Sequence, residues 1–182
     1  MNNFFQKKGG EIIKSKTSQT VALCGIMTSL AIVFGYIEHL IPLPFGIYGI
    51  KLGLANLVVV IMLYAINAYS AFTINMMRII LCSMLFGTFT SFWYSLIGGL
   101  LSFGIMFIVK KTNKFSPMGV SICGAITHNI GQIAVAVILM EELKIAFYLP
   151  VLLIVGAITG ALIGLVAIPI IKMPIFKSKK QI

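Results

Sequence analysis

Apolar residues in this chain fall into long runs broken by short polar or Gly/Pro-containing gaps. Six runs stand out, at about residues 18–40, 52–68, 71–85, 91–109, 118–140 and 145–171. A membrane-spanning helix needs about 20 mostly apolar residues, so each run is read as one transmembrane helix. The expected fold is an all-α integral membrane protein, a compact bundle of six transmembrane helices. Runs two and three are separated only by "INAYSA" (residues 66–71). Joining them into one helix would strand Asn67, Tyr69 and Ser70 in lipid, so a tight turn is expected there. The three parts of the chain are a basic N-terminal segment at 1–17, a six-helix membrane domain at 18–171 and a basic tail at 172–182.

Composition agrees with this pattern. Hydrophobic residues make up 59% of the 182 positions, charged residues 10%, and the mean hydropathy is +1.06. A soluble domain carries about 25% charged residues, so this chain cannot cover a water-facing surface. The net charge of +10 raises the question of nucleic acid, but the distribution excludes it. Lys7, Lys8, Lys14 and Lys16 precede the first run, Lys110, Lys111 and Lys114 share one gap, and Lys172, Lys177, Lys179 and Lys180 close the chain. Basic clusters that flank apolar spans on one side follow the positive-inside rule. They place both termini in the cytoplasm of a multi-pass protein of the cell membrane, with anionic lipid headgroups as partners. On the other side fall Lys51 and Lys144, with Glu38, Glu141 and Glu142 near them. A mostly polar segment of 17 residues precedes the first run and no small-residue cleavage site follows it, so a cleavable signal is not expected. Cys24, Cys82 and Cys123 lie within apolar runs without a CxxC spacing, which suits small buried residues and no metal site.

The chemistry must come from the few polar residues inside the runs. Ionisable groups there are rare and face the bundle interior or a cavity. Arg78 lies near the middle of the third run, with Asn75 three residues earlier on the same helix face. In the fifth run Ser121, Ala125, His128 and Gln132 follow one helical stripe, with Asn129 beside it, and Asn56 lies one turn into the second run. A guanidinium stays charged and needs acceptors. With Glu38 assigned to the outer end, no carboxylate is counted within the spans. The acceptors would then be amide or backbone carbonyls, water or an anionic ligand. A network that merely pins the helices is one account, most natural for Asn75 and Asn56. The other is that Arg78, His128, Asn129, Gln132, Asn56 and Asn75 line one cavity for a polar or anionic small molecule in the outer half of the bundle.

Small residues set how closely helices approach in lipid. Gly156, Gly160 and Gly164 repeat every four residues in the sixth run, as do Gly87, Ser91, Ser95 and Gly99 around the fourth, and internal packing is the expectation for both. Ala22, Gly25 and Ser29 lie near the cytoplasmic end of the first run, where either internal packing or a docking partner would use them. The link "IPLPFGIYGIKLG" carries Pro42, Pro44, Gly46, Gly49 and Gly53 and cannot be a clean helix. Irregular backbone at membrane depth is tolerated only under cover, as a buried turn or as a lid over an outward-facing pocket.

"IKLGLANLVV", "MRIILCSMLFGTF" and "SPMGVSICGAITHNIGQ", in that order, resemble the Gx transporter family, also described as component I of heptaprenyl diphosphate synthase. The resemblance covers about residues 19–164. That family in turn is similar to the substrate-binding S components of energy-coupling factor transporters. The second likeness implies a six-helix subunit that binds a small vitamin-like molecule and works with a transmembrane coupling protein and two cytoplasmic ATPases. It also implies that the coupling protein meets small residues of the first helix, where Ala22, Gly25 and Ser29 share the character of the motif but not a strict AxxxA. The component I label implies instead an accessory subunit in prenyl chain elongation. Elongation needs Mg²⁺ held by carboxylates against a leaving diphosphate, and the chain has no Asp, so it is not expected to be an enzyme alone. It has no GxxxxGK[ST] either, so no ATP hydrolysis and no cofactor are expected. The uptake subunit is the first expectation and the synthase subunit the alternative.

Overall fold

The computed structural model describes residues 2–40 and 53–177, with side chains at 18–40 and 53–176. Among these residues the chain is helical throughout its regular structure, in the order α1 (Asn2–Leu40), α2 (Asn56–Ala65), α3 (Ala68–Phe86), α4 (Phe89–Lys111), α5 (Pro117–Met140), a 3₁₀ turn (Leu143–Tyr148), α6 (Leu149–Ile171) and α7 (Pro174–Lys177). Among the described residues five helical segments are long and apolar enough to cross a membrane: Ser18–Leu40, Ala68–Phe86, Phe89–Lys111, Pro117–Met140 and Leu143–Ile171. Most of the link at 41–53, expected to be a turn or a lid, lies outside the described residues.

The second run departs from expectation. It forms a helix of only ten residues, which rises about 15 Å, half of a hydrocarbon core about 30 Å thick. Lipid does not set its length, because lipid hardly touches it: Val58, Val59, Val60, Met62 and Leu63 are fully buried. α2 is the central post of the fold, packed against α1, α3, α5 and α6. Its four consecutive β-branched residues, Val58 to Ile61, are modest helix formers, and burial overrides that propensity. Lys110, near the basic end of α4, donates its ammonium to the Leu63 carbonyl and lies 5.1 Å from the centre of the Tyr64 ring. A cation there meets the negative end of the α2 dipole and one of its orphan carbonyls. α2 therefore ends level with Lys110, and its other end meets α1 near Glu38.

Side chains in the connections start the other helices. Asn67 accepts from the Ser70 amide at 2.7 Å and opens α3, so the polar turn expected between runs two and three is real. Thr88 accepts from Ser91 N at 3.2 Å and opens α4. Ser116 accepts from Gly119 N at 3.3 Å, with Pro117 in the first turn of α5, where its missing N–H costs nothing. α3 packs on α1, α2 and α4, while α5 packs on α4, α6 and α2. The two polar regions of the sequence thus lie on different helix contacts, with α4 between them.

Candidate functional site

Arg78 is the eleventh residue of α3 and is buried. Its Nη2 donates to Asn56 Oδ1 at 2.7 Å, and its Nε donates to Asn75 Oδ1 at 3.0 Å. Asn75 Nδ2 then donates to the Gly99 carbonyl of α4 at 3.1 Å. One chain of hydrogen bonds therefore joins the start of α2, the middle of α3 and the middle of α4. The two bonds from Arg78 use two of the five guanidinium donors.

The counter-ion is the main departure from the sequence reading. Glu38, placed at the outer end by its position in the chain, is buried. Its Oε1 accepts from Leu54 N at 2.7 Å, and its charge acts on the Arg78 guanidinium. A carboxylate is therefore available inside the bundle after all. α2 has no side-chain cap of its own, and Glu38 of α1 meets the turn that leads into it. That turn starts at Gly53, whose φ of +86° is a conformation glycine adopts without strain.

The second polar group lies across α4. Gly98 and Gly99 are adjacent, so their faces differ by about 100°. A Cβ on Gly99 would stand 2.6 Å from Ile79 Cδ1 and 3.5 Å from Asn75 Nδ2 of α3. A Cβ on Gly98 would stand 2.9 Å from the His128 carbonyl, 3.1 Å from His128 Nδ1 and 3.1 Å from Gln132 Cγ of α5. The glycine pair thus lets α4 touch the Arg78 group on one face and the His128 group on the next. His128, Asn129 and Gln132 are all buried. Asn129 turns to α6, where its Nδ2 donates to the Leu152 carbonyl at 2.7 Å. Gln132 is fully buried, and neither its Oε1 nor its Nε2 has a hydrogen-bond partner; the same is true of Tyr94 Oη and Ser95 Oγ of α4. Asn56, Asn75 and Arg78 are thus joined directly, His128 and Gln132 share the α4 seam, and Asn129 serves the α5–α6 contact.

The small residues divide by helix. Gly164, Gly160 and Gly156 face α5 in succession: a Cβ on each would stand 2.5 Å from Met118 Cα, 2.8 Å from Ile122 Cα and 2.5 Å from Asn129 Nδ2. Ala22, Gly25 and Ser29 are exposed, and nothing lies within 4 Å of a Cβ built on Gly25. Ser29 Oγ donates to the Gly25 carbonyl at 3.1 Å.

A cleft of about 230 Å³ lies between α1, α2 and α6, lined by Phe34, Ile37, Leu54, Leu57, Thr159, Leu162, Ile163 and Val166. Seven of these residues are apolar. None belongs to the polar site read from the sequence, although Leu54 also supplies the amide that meets Glu38. Among the described residues no group of three or more His, Cys or Glu side chains could hold a metal ion.

The family model described as heptaprenyl diphosphate synthase component I matches residues 27–170. The chain belongs to that family. The match covers α2 to α5, nearly all of α6 and the second half of the α1 span, so it includes both polar groups, the glycine contacts and the cleft. No curated protein and no solved structure matches the chain.

Glu38 and the Gly98–Gly99 pair are the site residues that sequence reasoning missed. Glu38 carried a signal, since it lies within an apolar run; its nearness to the end of that run hid its role. The glycine doublet was visible too, but the four-residue spacing drew attention to Gly99 alone.

Proposed function

We propose that this protein is a membrane-embedded, non-catalytic subunit of a prenyl diphosphate synthase assembly, with the cleft between α1, α2 and α6 as the seat for part of the apolar prenyl chain. The observation that carries this reading is the cleft itself, apolar at seven of eight lining positions, in a chain of the component I family. A growing prenyl chain gains about 0.8 kcal/mol for each CH₂ removed from water, so an intramembrane groove draws product away from a soluble catalyst. The chain has no Asp, and diphosphate chemistry with Mg²⁺ needs carboxylates, so catalysis belongs to the partner component. In this reading α1 to α6 form a six-helix unit in the cell membrane with α2 sheltered inside it. Both termini and the Lys110–Lys114 gap face the cytoplasm, where a soluble partner docks. A prenyl diphosphate carrying a photoreactive group at its apolar end tests the idea. Label should concentrate on peptides of α1, α2 and α6 and fall when Ile163→Trp fills the cleft. Label spread evenly over the lipid-facing residues would contradict it.

The Arg78 group favours a second reading: the substrate-binding subunit of an energy-coupling-factor-type uptake system for a small polar or anionic molecule. Charged groups within a membrane mark binding sites and ion paths, and Arg78 with its amides costs too much to be lipid-facing filler. A transmembrane coupling protein and two cytoplasmic ATPases would supply the energy, the former meeting Ala22, Gly25 and Ser29 on the open face of α1. Uptake that depends on co-expressed ATPases supports this reading, and ATPase-independent behaviour of vesicles contradicts it.

A further inference from the structure

We propose that the start of α2, with Arg78 and Asn56, forms a buried carboxylate seat whose resident occupant is the side chain of Glu38, and that a carboxylate-bearing small molecule takes its place. The inference deepens the solute-binding reading and rests on it only for the seat's biological meaning. Four observations converge. α2 is half the length of a span, and its N-terminus, the positive end of its dipole, is buried by its neighbours, with Ala55 and Asn56 inside the bundle. Sheltered half-helix N-termini are where transporters hold anionic groups. α2 has no side-chain cap of its own, and in the turn just before it the Leu54 amide is met at 2.7 Å by a carboxylate from another helix. Arg78 supplies the positive charge and uses two of its donors on Asn56 and Asn75. Finally, Asn56 Nδ2 is buried in the same turn without a hydrogen-bond partner, 3.2 Å from the position of a Cβ on Gly53. A structural charge interaction needs the cation and the carboxylate. It does not need a further unpartnered donor beside a helix N-terminus, and a carboxylate not tied to the α1 backbone is free to turn one oxygen to each donor.

Glu38 is thus an anion tethered to α1. An incoming carboxylate competes with it for one seat, and its release frees the end of α1 from α2. The test uses the purified full chain in detergent micelles, with Glu38→Ala and Glu38→Ala/Arg78→Gln, and acetate as the probe against chloride at equal ionic strength. Acetate should raise the Tm of Glu38→Ala saturably by several degrees. It should do so at most weakly in the wild type, where the tethered carboxylate competes, and not at all in the double variant. Glu38→Gln, which keeps the side-chain shape, gives the same comparison if Glu38→Ala does not fold. No greater response in the Glu38 variants than in the wild type, or an equal response to chloride, overturns the seat. A response to inorganic phosphate equal to that for acetate overturns the commitment to carboxylates. Acetate rescue without ATPase-dependent uptake would keep the seat and remove the uptake reading, and uptake without rescue would do the reverse.

Discussion

The Arg78 group and the Gln132 group are both polar islands in an apolar bundle, and they are built in opposite ways. Around Arg78 four helices contribute: Asn56 of α2 and Asn75 of α3 accept from the guanidinium, the Gly99 carbonyl of α4 accepts from Asn75, and the Glu38 charge of α1 acts on the cation. Around Gln132 the helices meet through glycine, and the polar atoms of Gln132, Tyr94 and Ser95 are buried without hydrogen-bond partners. The first region is held by charge and hydrogen bonds, the second by close approach of backbones. The same residue types therefore carry different energies, depending on whether their neighbours are polar groups or the absence of a side chain.

The sharpest way to break the comparison is to remove the cation. Arg78→Met leaves Glu38 as an uncompensated buried charge and should cost about 3–5 kcal/mol, seen as a large loss of unfolding free energy in detergent. A loss below about 1 kcal/mol would mean that Glu38 is solvated and the network is not closed.

Steric change should matter more than polar change on the other side of α4. Gly164→Leu drives a Cβ to 2.5 Å from Met118 Cα, a backbone contact that cannot rotate away. Overpacking of this kind costs about 1–3 kcal/mol, and the same unfolding assay reads it. Gln132→Met, by contrast, should change stability by less than about 1 kcal/mol or improve it, because it removes a buried amide that has lost its hydrogen bonds to water and gained none. A cost above about 2 kcal/mol would place Gln132 in a closed network like that of Arg78. The smallest effect is expected at Gly25→Leu, on the open face of α1: within about 0.5 kcal/mol for the isolated chain. The uptake reading adds that the same change blocks assembly with the coupling protein, as read by co-purification.

Much of the architecture was legible because lipid imposes one rule, a run of about 20 apolar residues for each crossing. The starts of α3, α4 and α5 lie within a few residues of the run boundaries. α2 escaped the rule because protein, not lipid, surrounds it; a helix sheltered by its neighbours need not match the bilayer, and nothing in "LVVVIMLYA" reports who the neighbours are. In the site, Arg78, Asn75 and Asn56 were readable as polar residues in apolar runs, and the i, i+3 spacing joined two of them. Glu38 was not, since its partners lie sixteen and forty positions away in the chain. The cleft could not be read either: Phe34, Leu57 and Ile163 look like any lipid-facing residue until three helices leave a gap between them.

The central claim of the comparison is that Glu38 and Arg78 act on one another inside the bundle. A double-mutant cycle with Glu38→Gln, Arg78→Gln and the pair together measures that coupling directly. The account predicts that each single change destabilises the chain and that the double variant loses less than the sum, by about 1–3 kcal/mol. Additive losses would show that the two charges do not meet, and would contradict it.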